Sequence, residues 1–163
     1  MSGKVCDQKE AVQRVQAAKN SGKTVVFTNG CFDLLHGGHV RYLQAAREQG
    51  DLLIVGLNSD RSVTSIKGPK RPIMPQDQRA EVLSALACVD IVTLFDEDTP
   101  LALIQAVLPH VLVKGADWAE EAIVGADVVK QAGGKVVRVA LEPGASTSAI
   151  IQTILDHYAA KGD

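Results

Sequence analysis

The sequence predicts an α/β fold, a doubly wound parallel sheet of five strands in the order 3-2-1-4-5. Three observations lead there. Short, largely apolar β-branched runs recur at 24–28 (TVVFT), 52–57 (LLIVGL), 90–95 (DIVTLF), 111–114 (VLVK) and 135–141 (KVVRVAL), as expected of strands covered on both faces. Helix-length stretches separate them, and strand–helix alternation builds parallel sheets. The segments that follow the strands, TNGCFDLLHGGH, NSD, FDEDTP, KGAD and EPGASTS, are polar, glycine-rich and charged. In an open sheet these segments share one rim, and ligands bind where the winding reverses, here between the first and fourth strands.

A helix comes first. In DQKEAVQRVQAAKNSGK, Asp7 stands three residues before Glu10 in a capping-box-like start, Ala11, Val12, Val15 and Ala18 share one helical face, and Gly22 suits the stop. Residues 1–22 thus form an N-terminal helical extension of a single domain, 1–163. The first strand leads through a turn holding Asn29, Gly30 and Asp33 to a helix that begins at about Gly38 and runs to 49, before Gly50. The second strand is followed by SIKGPKRPIMPQDQR, where Gly68, Pro69, Pro72 and Pro75 exclude a continuous helix. Its first part reads as a basic loop, and a helix over 75–87 follows. Helices over 99–108, capped by Thr99-Pro100, and over about 119–132, before Gly133-Gly134, flank the fourth strand. A helix over 146–159 closes the chain.

The length of 163 residues suits one domain with its own core. A net charge of −2 supplies no overall basic field for nucleic acid or anionic lipid, and 4% aromatic residues are too few for single-strand stacking platforms. An anionic ligand must then be held by a local cluster. Cys6, Cys31 and Cys88 are widely spaced and never in CxxC, which points to a reducing compartment rather than a disulfide framework. No apolar run approaches the roughly 18 residues of a membrane span, and the N-terminus lacks a signal-peptide core, so a cytoplasmic location is expected.

His36-Gly37-Gly38-His39 lies where the first strand gives way to a helix. A metal reading, with Cys31 as a third ligand, lacks an evident fourth ligand and the acceptors that orient ligating rings, so no protein-held metal is expected. Ordinary loop histidines are the bland alternative. A phosphate reading accounts for more residues. A helix N-terminus presents unpaired N–H groups and a positive dipole end, glycines admit close approach, and imidazole N–H groups can donate to phosphoryl oxygens as charge builds. Asp33 suits this site or a structural turn. Lys67, Lys70, Arg71 and Arg79 read either as solvated surface charge or as a closing basic cover for a triphosphate. Asp117 suits a ribose hydroxyl or a helix cap, and Trp118, the only tryptophan, a lid or a packing residue. Ser146, Thr147 or Ser148 can cap the last helix or, from the same rim, contact a triphosphate.

TNGCFDLLHGGHVRYL resembles the HxGH signature of the cytidylyltransferase-like nucleotidyltransferases, a superfamily of Rossmann-like fold. The likeness continues through VGLNSD, KGPKRPIMPQDQR, LVKGAD and GASTSAII, over about residues 24–155. Together these resemble one branch, the D-glycero-D-manno-heptose 1-phosphate adenylyltransferases of lipopolysaccharide precursor synthesis, in the stand-alone form rather than the form fused to a sugar kinase. LEPGASTS lacks the arginine that several cytidylyltransferases carry before this element, which weakens that assignment. The resemblance implies transfer of AMP from ATP to heptose 1-phosphate, with loss of pyrophosphate. It implies catalytic roles for His36, His39, Lys67 and Arg79, with Arg71 a secondary candidate. It implies nucleotide binding by Asn29, Gly30, Phe32, Asp33, Gly38, Lys114, Gly115, Asp117, Ser146, Thr147 and Ser148. It also implies Mg²⁺ arriving with ATP, and a homodimer or higher homo-oligomer.

No Ser-His-Asp set or close carboxylate pair is evident, and this reaction needs none. A sugar 1-phosphate carries about −1.5 to −2 charges at pH 7, so its oxygen attacks without deprotonation. The protein must align the attack and offset charge. Two other readings stay open: a glycerol-phosphate cytidylyltransferase or flavin-forming adenylyltransferase of the same superfamily, and a nucleotide-binding sensor without turnover.

Overall fold

The computed structural model describes residues 3–140 and 146–158. Strands β1 (Val25–Gly30), β2 (Leu52–Asn58), β3 (Ile91–Phe95), β4 (Val111–Gly115) and β5 (Lys135–Val139) form one parallel sheet in the order β3-β2-β1-β4-β5, as the alternation predicts. Helices α1 (Gln8–Asn20), α2 (Gly37–Arg47), α3 (Asp60–Lys67), α4 (Gln76–Ala85), α5 (Leu101–Val107), α6 (Ala126–Gln131) and α7 (Thr147–Tyr158) complete the fold. No helix among the described residues is long and apolar enough to cross a membrane.

Neighbouring strand residues point to opposite faces, and the core divides accordingly. Val25, Phe27, Ile54, Ile91 and Leu112 pack with α1, α5 and α6 on one face. Val26, Leu53, Val55, Val92, Val111 and Val113 pack with α2 and α4 on the other. Ala11, Val15 and Ala18 of α1 are buried in the first cluster, Asp7 caps that helix by accepting from the Glu10 N–H, and Val5 forms a parallel bridge with Val92 of β3.

Four predicted elements differ. β1 runs on to Gly30, paired with β2 through Gly30–Leu57, so Asn29 and Gly30 are strand residues rather than turn. The stretch read as a basic loop begins as a helix. Ser59 caps α3 by accepting from the Ser62 N–H, and the helix ends at Lys67 before Gly68 in a left-handed conformation, ahead of the prolines. The helix predicted over 119–132 is broken into a 3-10 turn (Glu120–Ala122) and α6. Gly125 breaks it with φ +83°, where an added Cβ would stand 2.8 Å from Ile104 Cδ1. At α5, Pro100 is the capping position and supplies no side-chain hydrogen bond. Leu141, the LEPGA segment and Ala159 fall outside the described residues, as do Met1 and Ser2.

Candidate active site

β1 and β4 meet at the reversal of winding. Their pairing covers Val26–Val111 and Phe27–Leu112, then the strands part. The carbonyl of Val113 is taken instead by side chains: Thr28 Oγ1 donates to it at 3.0 Å and Tyr42 Oη at 3.2 Å. Thr28 is fully buried, and burial lifts the Tyr42 phenol to about 12 despite its bond to Thr28. A polar wedge thus holds open the crevice that the topology requires without stranding a buried carbonyl.

The chain crosses that crevice by a strained turn. Phe32 has φ +43°, uncommon for a bulky side chain, and its buried ring leans back over Gly30, where an added Cβ would lie 2.9 Å from Phe32 Cε2. Glycine at position 30 makes that approach possible. The Phe32 ring then meets His39 edge-on, with centroids 5.2 Å apart, and His39 stacks on His36 at 3.8 Å and 23°. His36 is the capping residue of α2 but gives no side-chain cap, and its carbonyl accepts from the His39 and Val40 N–H groups. The first amides of α2, at Gly37 and Gly38, precede the intrahelical bonds.

The Nδ1 atoms of His36 and His39 and the Oδ1 of Asn29 are buried and unpartnered among the described residues. Buried polar atoms are usually paired, so three orphans at one rim are unusual. Burial lowers both imidazole pKa values, His39 to about 4 with help from His36, and His36 with help from the Arg41 charge. Both rings are neutral at pH 7, and each has one N–H to donate.

The cations behave differently from one another. Arg79 is buried: Nη1 donates to the carbonyls of Cys31 at 2.6 Å and Asn58 at 2.9 Å, Nη2 to Asp60 at 2.8 Å, and Nε to the Met74 carbonyl at 3.0 Å. It ties the ends of β1 and β2 together. Asp33 is buried too, and its carboxylate accepts from Arg71 Nε at 2.5 Å, Ile73 N at 2.8 Å and Met74 N at 2.8 Å. Burial pushes that carboxyl up, but the Met74 and Ile73 amides and Arg71 outweigh it and hold it below its usual value. Asp33 and Arg71 therefore clamp the 71–74 loop to the His36 turn. Lys67, at the C-terminus of α3, is exposed, and its charge reaches Cys31 beside the turn.

Lys114 and Gly115 end β4 on the far side of the crevice from Asn29 and Gly30, which end β1, and no strand pairing joins the two ends. Burial lowers the Lys114 ammonium to about 8, against the pull of Cys31 and Asp117. Its Nζ lies 5.8 Å from the centroid of the Trp118 ring. Asp117 is exposed and caps nothing, since the following 3-10 turn starts from Ala119 without a side-chain bond. Ser146 Oγ accepts from the Ala149 N–H at the start of α7, Thr147 Oγ1 reaches the Leu34 carbonyl at 3.4 Å, and Ser148 is exposed. Thr147 brings that helix start to the segment between Asp33 and His36.

The structure therefore gathers Asn29, His36, His39, Gly38 and Lys114 at one crevice, with Lys67 and Thr147 on its borders. Arg79 and Asp33 lie beneath it as internal ties. Thr28 and Tyr42 escaped the sequence reading, although a tyrosine three residues after His39 stands on the same side of α2 and offered a signal.

Known proteins resemble this chain. The family model described as cytidylyltransferase-like matches residues 27–153. The chain is 55% identical to the bifunctional protein HldE of Syntrophotalea carbinolica over 144 residues, 88% of this chain and 29% of that protein. It is 57% identical to the bifunctional protein HldE of Mesorhizobium japonicum over 147 residues, 90% of this chain and 30% of that protein. The chain thus spans under a third of the length of these relatives. The crystal structure of the lipopolysaccharide core biosynthesis protein from Thermoplasma volcanium superposes with a TM-score of 0.60 at 28% identity, covering 74% of this chain and 98% of that one. A pantoate-beta-alanine ligase from Francisella tularensis shares the fold at 15% identity, with a TM-score of 0.56, covering 98% of this chain and 80% of that one.

Proposed function

The chain belongs to the cytidylyltransferase-like family, and from that premise we propose that it transfers AMP from ATP to D-glycero-D-manno-heptose 1-phosphate, giving ADP-heptose and pyrophosphate for lipopolysaccharide core assembly. The observation that carries the reading is the stacked, neutral His36–His39 pair at the N-terminus of α2, with unpartnered ring nitrogens beside the orphaned Asn29 Oδ1. Identity of 55% over most of the chain to one part of HldE proteins supports the choice of acceptor.

In this mechanism an oxygen of the sugar phosphate forms a bond to the α-phosphorus of ATP while the bond to the β-phosphate oxygen breaks. Gly37 and Gly38 N–H groups and the α2 dipole receive the phosphates. The imidazole N–H groups donate to oxygens on which charge builds. Lys67 and the hydroxyls of Ser146, Thr147 and Ser148 flank the leaving pyrophosphate. Lys114 and Asp117 hold the nucleoside side, Asp117 through ribose hydroxyls. Arg79 and Asp33 act by holding the rim and the basic loop in place.

Among the described residues no group of three or more His, Cys, Asp or Glu side chains is placed to hold a metal, and the Asp33 carboxylate is spent on Arg71 and backbone amides. Mg²⁺ arriving with the triphosphate belongs to the same proposal. Such a cation would offset charge on the phosphates. A homodimer or higher homo-oligomer belongs to the same proposal, and sedimentation velocity tests it.

The deciding experiment measures pyrophosphate release with ATP or CTP crossed against heptose 1-phosphate, glycerol 3-phosphate and FMN. Turnover confined to ATP with heptose 1-phosphate is expected. Turnover with another pair reassigns the substrate, and nucleotide binding without turnover on any acceptor overturns the enzyme reading.

A further inference from the structure

We infer that Trp118 is the stacking surface for the base of the bound nucleotide, with Lys114 against one face of the indole and the base against the other. The inference rests on the nucleotidyl-transfer reading above and deepens it by assigning the base side of the crevice.

Isolated exposed apolar side chains are ordinary on protein surfaces. Trp118 differs in position. It stands three residues beyond Gly115, the last residue of β4, at the strand that borders the reversal of winding. The residue is 48% exposed. Its backbone is fixed: the Trp118 N–H donates to the Gly115 carbonyl at 3.2 Å, and Arg138 Nη1 of β5 donates to the Trp118 carbonyl at 3.4 Å. Lys114 Nζ at 5.8 Å from the ring centroid occupies one side in cation–π range. What remains is a held indole with a face turned to solvent.

Charge then separates the possible occupants. On the β2 side of the crevice lie the exposed Lys67 and Lys70, suited to a dianionic acceptor and to pyrophosphate, while Arg71 is already paired with Asp33. On the β4 side lie the indole, a lysine of weakened basicity and the exposed Asp117. Asp117 repels a phosphate but accepts from ribose hydroxyls, and an uncharged aromatic ring gains most from the indole. Base–aromatic stacking tolerates any base, so the surface sets affinity for the nucleotide without choosing adenine over cytosine.

Trp118 is the sole tryptophan, so selectively excited indole emission reports on it alone. Titrations with ATP, CTP, tripolyphosphate and heptose 1-phosphate, each added singly, are expected to show saturable quenching by both nucleotides and little response to tripolyphosphate or the sugar phosphate. Quenching by the sugar phosphate but not the nucleotide overturns the assignment. An equal response to tripolyphosphate also overturns it, because it would trace the signal to Lys114 leaving the ring. In steady-state kinetics, Trp118→Ala should raise KM for the nucleotide about tenfold or more and leave KM for the sugar phosphate within about twofold. Trp118→Phe, which keeps an aromatic face, should recover most of that loss, and an unchanged nucleotide KM in Trp118→Ala refutes the proposal. Quenching by ATP without turnover on heptose 1-phosphate would sink the acceptor assignment and leave this one standing. Turnover on heptose 1-phosphate with silent tryptophan emission would do the reverse.

Discussion

At the scale of single residues, the histidine pair makes opposite demands on folding and on catalysis. Burial keeps both rings neutral and stacked, which orients their donors but leaves nitrogens unpaired. If each ring donates to the reacting phosphate, His36→Ala and His39→Ala should each lower kcat by about 10²-fold or more, read in a pyrophosphate assay. Wild-type turnover in both variants would return the rings to a packing role. The stability consequence has a definite sign. His39 titrates near 4 in the folded chain and near 6.5 when unfolded, so the unfolded state binds more protons between those values. The contribution is fully present above about pH 6.5 and is lost as pH falls toward 4. The thermal midpoint should therefore drop across that window, and His39→Gln should flatten the drop. Lys114 gives a test on the alkaline side. With an ammonium near 8 in the free protein, kcat/KM for ATP should begin to fall at about pH 8, and Lys114→Arg should carry the descending limb to higher pH. A limb that stays in place after that change removes Lys114 from the nucleotide site.

At the scale of elements, the ties matter more than the elements themselves. Asp33 joins the turn before α2 to the loop before α4, and its carboxylate serves a guanidinium and backbone amides at once. Asp33→Ala strands those donors, so it should cost about 3–5 kcal/mol in chemical denaturation and raise KM for ATP as the basic loop detaches. Asp33→Asn keeps one acceptor and should lie between; equal stability of Asp33→Ala and wild type would deny the clamp. The strands and most helices were legible in the sequence because apolar periodicity is local, and the strand order followed from the doubly wound architecture that strand–helix alternation implies. The ties were not, since Arg71 lies 38 positions from Asp33 and the Cys31 carbonyl 48 from Arg79. A local clue to Arg79 existed: it stands four residues before Leu83, on the apolar side of α4, where a phosphate-seeking arginine is out of place. Helix α3 was hidden for a different reason. The glycine and prolines that punctuate this stretch all follow the helix, which ends at Lys67, so they mask a helix that precedes them. The histidine turn was legible as chemistry, from HGGH, but its strain at Phe32 depends on a ring folding back over Gly30, which no pattern of types displays.

At the scale of the whole molecule, the question is whether residues before β1 are an appendage or part of the folding unit. Sequence suggested an extension, and the packing argues that the extension cannot be spared. Ala11 and Val15 are almost wholly buried against Val25, Phe27 and the α5 residues of one core cluster. Val5 bridges β3, with Cys6 N donating to the Val92 carbonyl and Val92 N to the Lys4 carbonyl, so this segment lies along the outer edge of the sheet. Lys19 Nζ donates to the carbonyls of Val107 and Leu108 at the end of α5. Removing residues 1–22 would uncover Ile91, Phe95 and Leu103 together and reopen the β3 edge to pairing with other chains. Fully burying a valine is worth roughly 1.5–3 kcal/mol, and small domains hold about 5–15 kcal/mol in all, so such a loss consumes most of the margin. A chain beginning at Lys23 should thus show no cooperative thermal transition and should aggregate, measured by circular dichroism and light scattering. The reacting groups lie at the opposite sheet face and rim, so activity would fail through unfolding rather than through any missing contact. A truncated chain that melts cooperatively within a few degrees of the full one would instead establish α1 as a dispensable cover and shift the weight of the fold onto β1, α5 and α6.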